Sequence, residues 1–174
     1  MDTRLLLLLV LALLTPPAAG AGRRPRPAAR GVQVEAVGVV PLDGGGTVLL
    51  ADLDHTRLVP ISVGSTEALA IALRIERRRY ERPLTYDLID AILDGMGGEV
   101  VEARIDDLRS GTFVAHLTFR EGRRSFTVDT RASDAIAVAL GRGVPLWLAA
   151  PVLDGAGLPW PETPLVPDPT APSL

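Results

Sequence analysis

The sequence predicts an α+β domain, with a largely antiparallel or mixed sheet and about three packed helices. Three observations carry this. Strand-like segments come in clusters and do not alternate one for one with helices. Leu88, Ile89, Ile92, Leu93 and Met96 make an apolar stripe at helical spacing. Between 112 and 119, Phe113, Ala115, Leu117 and Phe119 share one face of a strand, and Thr112, Val114, His116 and Thr118 share the other.

The elements follow in chain order. Residues 32–37 alternate apolar and polar, the period of a half-buried strand. Gly44, Gly45 and Gly46 read as a turn, and Val48–Leu50 and Leu58–Ile61 as two further strands. A helix begins near Gly64-Ser65 and runs through Ala68, Leu69, Ile71, Ala72 and Ile75; its alanines suit close packing on a sheet. The second helix starts near Thr85 and stops at Gly97-Gly98, where glycine accepts the left-handed conformation that closes helices. Residues 99–108 and 112–120 form a hairpin through Arg109-Ser110-Gly111. Phe126 and Val128 continue the sheet. A third, very apolar helix holds Ala135, Ile136, Val138, Ala139 and Leu140, and a short Leu146–Leu148 strand follows. No internal repeat is evident by eye.

This domain occupies 32–157 of the 174 residues. Before it, Arg4 precedes an unbroken apolar run from Leu5 to Leu14, then Thr15, Pro16 and Pro17, then Ala19-Gly20-Ala21. That is the pattern of a cleavable signal peptide over 1–21, which predicts an exported, periplasmic or secreted protein. Ten helical residues rise about 15 Å, half the hydrocarbon core, so no stable membrane span is expected. Residues 22–31, with four arginines, read as a basic flexible arm. Residues 158–174, with prolines at 159, 161, 164, 167, 169 and 172, read as a disordered tail.

Composition removes several kinds of chemistry. Cysteine is absent, which excludes disulfides, thiol nucleophiles and thiolate metal sites. The formal net charge is −3, so nucleic-acid binding would need a local patch. There is no GxxxxGK[ST] loop, no GxGxxG after a strand, no GxSxG, and His55 and His116 cannot make an HExxH. Carboxylate-based phosphodiester chemistry remains open.

Three constellations pair a hydroxyl with an acid at a helix start: Ser65-Thr66-Glu67, Thr85-Tyr86-Asp87 and Ser133-Asp134. One reading is capping, the hydroxyl at the N-cap and the acid facing the helix dipole. The other is that these helix starts converge on a cleft able to hold a cation or phosphate oxygens. Asp106-Asp107 precede a turn, where paired acids hold Mg²⁺ or simply cap the turn. Asp87, Asp90 and Asp94 read as the solvated side of the second helix. Arg77, Arg78, Arg79 and Arg82 are the strongest basic cluster, interleaved with Glu76 and Glu81. Arg131, at a strand–helix junction, can fork onto a phosphate or onto an internal carboxylate such as Asp87 or Glu67. His116 reads as a structural or surface residue.

Four blocks together, LVPISVGSTEALAIAL (58–73), RPLTYDLIDAIL (82–93), IDDLRSGTFVAHL (105–117) and VDTRASDAIAVAL (128–140), resemble the bifunctional nuclease domain family. The resemblance implies an α+β domain, hydrolysis of RNA and DNA phosphodiesters, and help from a divalent metal such as Mg²⁺ or Mn²⁺. Carried over by position, its polar residues are Glu67, Thr85, Asp87, Asp106, Asp107, Asp129, Arg131, Ser133 and Asp134. Two positions depart from the family pattern: Tyr86 stands in the block where histidine is usual, and Ala132 where proline is usual.

The leading expectation is an exported nuclease. Glu67, Asp87, Arg131 and Asp134 would be catalytic, Thr85, Ser133, Arg78 and Arg79 would contact substrate, and Asp106, Asp107 and Asp129 would hold metal. The alternative is a non-enzymatic binding or assembly domain, with the same polar residues as caps and ion pairs. Its partner would be a protein or a second copy of the chain.

Overall fold

A computed structural model describes residues 31–162. The expected signal peptide, nearly all of the basic arm and the tail from 163 lie outside the described residues. Among the described residues, no helix is long and apolar enough to cross a membrane. The elements are β1 (Val32–Leu42), β2 (Gly45–Asp52), β3 (Arg57–Gly64), α1 (Ser65–Ile75), α2 (Thr85–Met96), β4 (Glu99–Arg109), β5 (Thr112–Glu121), β6 (Arg124–Arg131), α3 (Ala132–Arg142), β7 (Leu146–Leu148), α4 (Ala150–Ala156) and β8 (Leu158–Pro159). The strands form one mixed sheet in the order β6-β5-β4-β7-β1-β2-β3-β8. Among the described residues, only β4 and β7 run parallel. The α+β expectation holds, with four helices where about three were expected.

Helices α1 and α3 pack on each other and on one face of the sheet. Val48, Leu50, Val59, Ile61, Ile105, Ala115 and Leu117 from the strands meet Ala70, Ile71, Ala135, Ile136 and Val138 from the helices in the main core. Small residues let the layers approach. A Cβ on Gly46 would stand 2.9 Å from the Cβ of Ala68, and one on Gly141 would overlap the Arg74 guanidinium. Gly45 and Gly46 therefore belong to β2, and the turn is Asp43-Gly44, with Gly44 left-handed at φ 79°. Ser110 and Gly111 both have positive φ, the two-residue hairpin turn that matches strand twist.

The outer face of the sheet carries a second, smaller core. Leu49, Ala51 and Leu58 are buried there, with Val37 and Trp160 against them. Trp160 stacks on His55 with centroids 4.5 Å apart, and its backbone N–H donates to the Thr56 carbonyl at 2.9 Å. Leu158 and Pro159 pair with β3. The sheet thus runs past 157, the expected domain end, because an apolar outer face needs this cover.

The structure corrects the absence of a repeat. β1, β2, β3 and α1 reappear as β4, β5, β6 and α3, each starting 67 residues later. No insertion or deletion intervenes from Val32 to Ile75. The halves meet across β7, which is antiparallel to β1 and parallel to β4. β1 and β4 therefore run in opposite directions, and α1 and α3 share one face. That is the relation of an approximate two-fold axis perpendicular to the sheet. Sequence identity is confined to short runs, among them Val34-Glu35-Ala36 against Val101-Glu102-Ala103, and Ala70, Ala72 and Leu73 against Ala137, Ala139 and Leu140.

A second correction concerns α2. Its aspartates were expected to face solvent, yet they face the other helices. Arg74 of α1, only 10% exposed, pairs with Asp90 at 2.7 Å and Asp87 at 3.2 Å. Arg142 of α3 pairs with Asp94 at 2.7 Å. The apolar stripe is split: Ile89 and Leu93 pack on the core, while Leu88, Ile92 and Met96 stand exposed. Partly buried guanidinium groups draw the acidic side inward, and charge pairing decides the helix rotation.

Candidate functional site

The hydroxyls of the three hydroxyl–acid constellations sit one or two positions further into their helices than capping requires. Gly64, Leu84 and Arg131 are the N-caps, and no side chain of theirs caps. Ser65 and Thr85 open their helices, and Ser133 is the second residue of α3. In all three the acid occupies the third helical position. Asp87 Oδ2 accepts the Leu84 backbone N–H at 2.9 Å, half of a capping box. At α2 capping is therefore done by the acid, Asp87, because the Thr85 hydroxyl is already inside the helix.

Glu67 and Asp134 are equivalent under the repeat, and the pseudo-two-fold brings them together. Between them lies Arg131. Its Nε and Nη2 donate to Asp134 Oδ2 and Oδ1, both at 2.8 Å, and Nη2 also reaches Glu67 Oε1 at 2.9 Å. The hydroxyl of Tyr86, the buried residue of α2, donates to Asp134 Oδ1 at 2.8 Å. The Arg131 bonds hold the Asp134 carboxyl below the usual carboxylate range, outweighing its partial burial, and the Tyr86 bond adds to the effect. Burial, then the bond to Asp134, pushes the Tyr86 phenol well above its ordinary value. Tyr86 stays a hydrogen-bond donor and Asp134 stays ionised. Arg131 is charged at any working pH, and its side chain is 66% exposed.

Arg131 and Asp134 border an open depression of about 580 Å³, with Arg109, Thr112, Val114, Asp129 and Thr130 also on its wall. Asp129 leads to a group the sequence reading had set aside. Asp129 pairs with His116 across β5 and β6, on the outer face of the sheet. His116 Nδ1 lies 2.8 Å from Asp106 Oδ2, and His116 Nε2 lies 3.6 Å from Asp129 Oδ1. Asp106 also accepts from Arg104 Nε at 3.2 Å. The ladder slips between Ile105 and Asp107, so Asp106 is a bulge residue re-aimed at His116. In the tautomer that carries its proton on Nδ1, the ring donates to Asp106 and turns Nε2 toward Asp129 and solvent. Local sequence gives no sign of this, since Asp106, His116 and Asp129 meet only through strand pairing.

The remaining expected residues lie elsewhere. Asp87 serves Arg74 and its own helix start. Asp107 accepts from Arg109 Nε at 2.6 Å and from the Leu108 N–H, which hold its carboxyl low. Arg78 pairs with Glu76 at 3.0 Å. Arg78 and Arg79 border a separate small cavity with Arg74, Leu84 and Tyr86, on the α1–α2 side. Thr85 is exposed at the start of α2, and Ser133 is buried, 8% exposed, at the start of α3.

The expected metal set of Asp106, Asp107 and Asp129 is not one donor set. Among the described residues, no three histidine, aspartate or glutamate side chains converge to hold a metal ion. Asp106 is engaged by His116 and Arg104, Asp107 by Arg109, and Asp129 faces His116 alone. The residues present do not fit a ready-made Mg²⁺ or Mn²⁺ site.

The sequence model of the bifunctional nuclease domain matches residues 48–161, from β2 to just past Trp160. Two uncharacterized proteins of Mycobacterium tuberculosis, from strains CDC 1551 and H37Rv, are each 41% identical over 121 residues, spanning 70% of this chain and 68% of their own. This chain belongs to the bifunctional nuclease domain family.

Proposed function

We propose that the protein is an exported nuclease that hydrolyses RNA or DNA phosphodiesters at the outer face of its second half. What supports this is strand register: His116, oriented by Asp106, stands opposite Asp129, and Arg131, two residues further along β6, holds its guanidinium at the end of the sheet between Glu67 and Asp134. Asp129 and Arg131 are two residues apart, roughly 7 Å along β6. His116 Nε2 would take the proton of the attacking water as general base. Arg131 would neutralise charge developing on the phosphoryl oxygens. Glu67, Asp134 and Tyr86 would act as positioning residues for Arg131. Export rests on the apolar run and small-residue site of the N-terminus.

The test is cleavage of single-stranded RNA and DNA by the purified protein, with Mg²⁺, Mn²⁺ or EDTA, beside His116→Ala and Arg131→Gln. Cleavage lost in both variants supports the assignment. Cleavage that survives His116→Ala removes His116 from the reaction. A binding or assembly domain is the second reading, favoured by Tyr86, a buried phenol where the family resemblance implies histidine. No cleavage by the folded protein under any condition would establish that reading over hydrolysis.

A further inference from the structure

The repeat shows where the fold is unfinished. In the first half, β3 is an inner strand: β8 pairs with its outer edge and α4 packs against it. Its core-side residues Val59 and Ile61 are 0% and 1% exposed. Their counterparts 67 residues on are Phe126 and Val128 of β6, at 44% and 41%. Among the described residues, β6 has no strand on its outer side. Phe126 is held upright by stacking on Phe119, with centroids 5.4 Å apart. The second half thus presents an eight-residue edge with an apolar pair beside it, at the position where the first half takes an antiparallel strand.

We infer that β6 pairs with β6 of a second copy of this chain, antiparallel and centred on Thr127. A two-fold axis through a continuous sheet stands perpendicular to it and preserves its faces, so residues opposite each other must have matching parity. Centring on Thr127 sets Phe126 against Val128 of the second copy and Val128 against Phe126, both on the core side. Aromatic–β-branched pairs of this kind stabilise sheets. On the other face Ser125 meets Asp129, a hydroxyl opposite a carboxylate, and Thr127 meets itself. Centring on Phe126 or Val128 keeps only one apolar self-pair and sets Val128 against Arg124, or Phe126 against Thr130. The chain's own C-terminal segment is a poor occupant, because its prolines at 164, 167, 169 and 172 lack the N–H a ladder needs. This pairing does not depend on the nuclease assignment, and it brings Ser125 of the second copy beside Asp129.

The chain has no cysteine, so single substitutions report the register directly. Opposed residues of an antiparallel pair lie within disulfide reach. In the full chain, Thr127→Cys should link to itself under mild oxidation. Ser125→Cys should link to Asp129→Cys in a mixture, each several-fold faster than the exposed control Asp54→Cys. Light scattering should give twice the chain mass, and Val128→Arg should return it to the monomer with an unchanged far-ultraviolet circular dichroism spectrum. A monomer at all concentrations, or Thr127→Cys no faster than the control, would overturn the inference. So would a dimer that links through Ile92→Cys on α2, or one that forms only after residues 163–174 are removed.

Discussion

The two halves of the domain share a backbone and differ in what they do with its outer face. On the helix side they match: Val48 and Ala115, Leu50 and Leu117, Ala70 and Ala137 are all buried. On the outer side, Val37, Leu49, Ala51 and Leu58 of the first half become Arg104, His116, Thr118 and Ser125 of the second. The first half closes its outer face with Trp160 and a short strand. The second leaves a polar face open, with His116 held by Asp106 and bordered by Asp129. One half adds a small core, and the other keeps polar groups reachable. Departures from the efficient packing rule fall where function is expected.

Exchanging residues between the halves tests this division. The largest effect should come from His116→Leu, which gives the second half the residue of the first. Nuclease turnover should fall by about 10²–10⁴-fold, the usual worth of a general base, while urea denaturation shifts little. If turnover persists, the outer face of the second half is not the reaction site. The reverse exchange, Leu49→His, should cost roughly 2–4 kcal/mol in urea unfolding, since it removes buried apolar volume and places a polar ring under Trp160. A cost near zero would mean that Trp160 does not seal the first half.

Asp52 sharpens the comparison further. It closes the β2–β3 turn of the first half, its Oδ1 accepting the Thr56 N–H at 2.7 Å and the Arg57 N–H at 3.0 Å, with the Thr56 hydroxyl on Oδ2. Burial pushes its carboxyl up, but these bonds outweigh burial and leave it below the usual value. Asp52→Ala leaves two backbone donors without their acceptor and should cost about 2 kcal/mol, read by thermal unfolding.

The smallest effect concerns acid sensitivity. Asp52 and Asp134 have carboxyls lowered by folding, so their stabilisation is complete above the unfolded carboxylate value of about 3.9. It is lost as pH falls through the lower folded values. Asp134→Asn should melt below wild type at pH 7, and the gap should close as pH drops below about 4. A gap that stays constant with pH would show that the charge on Asp134 does not matter to Arg131.

Much of the fold was legible in the sequence. The paired faces of residues 112–119 and the glycine stop at 97 depend on neighbours in the chain, and those survive unchanged. The rotation of α2 was hidden because it depends on Arg74 and Arg142, which arrive from other helices. The repeat was hidden because identical residues are few and scattered at the 67-residue offset, and the outer-face apolar positions of the first half are polar in the second. Of the site, the pairing of Arg131 with Glu67 was expected, but its fork onto Asp134 was not, and Asp87, the other expected partner, pairs with Arg74 instead. His116 was not expected there, because strand register assembles its carboxylate neighbours.

The position of Arg131 has one more implication. Its counterpart in the first half is Gly64. Two separate identical chains arranged as these halves are would bring either two arginines or none to the paired acids of α1 and α3. Two would crowd like charges at the centre, and none would leave Glu67 and Asp134 facing each other. Joining both copies in one polypeptide lets each acquire its own residue there. A single cation can then sit at the junction, and the two ends of the sheet are free to become unlike.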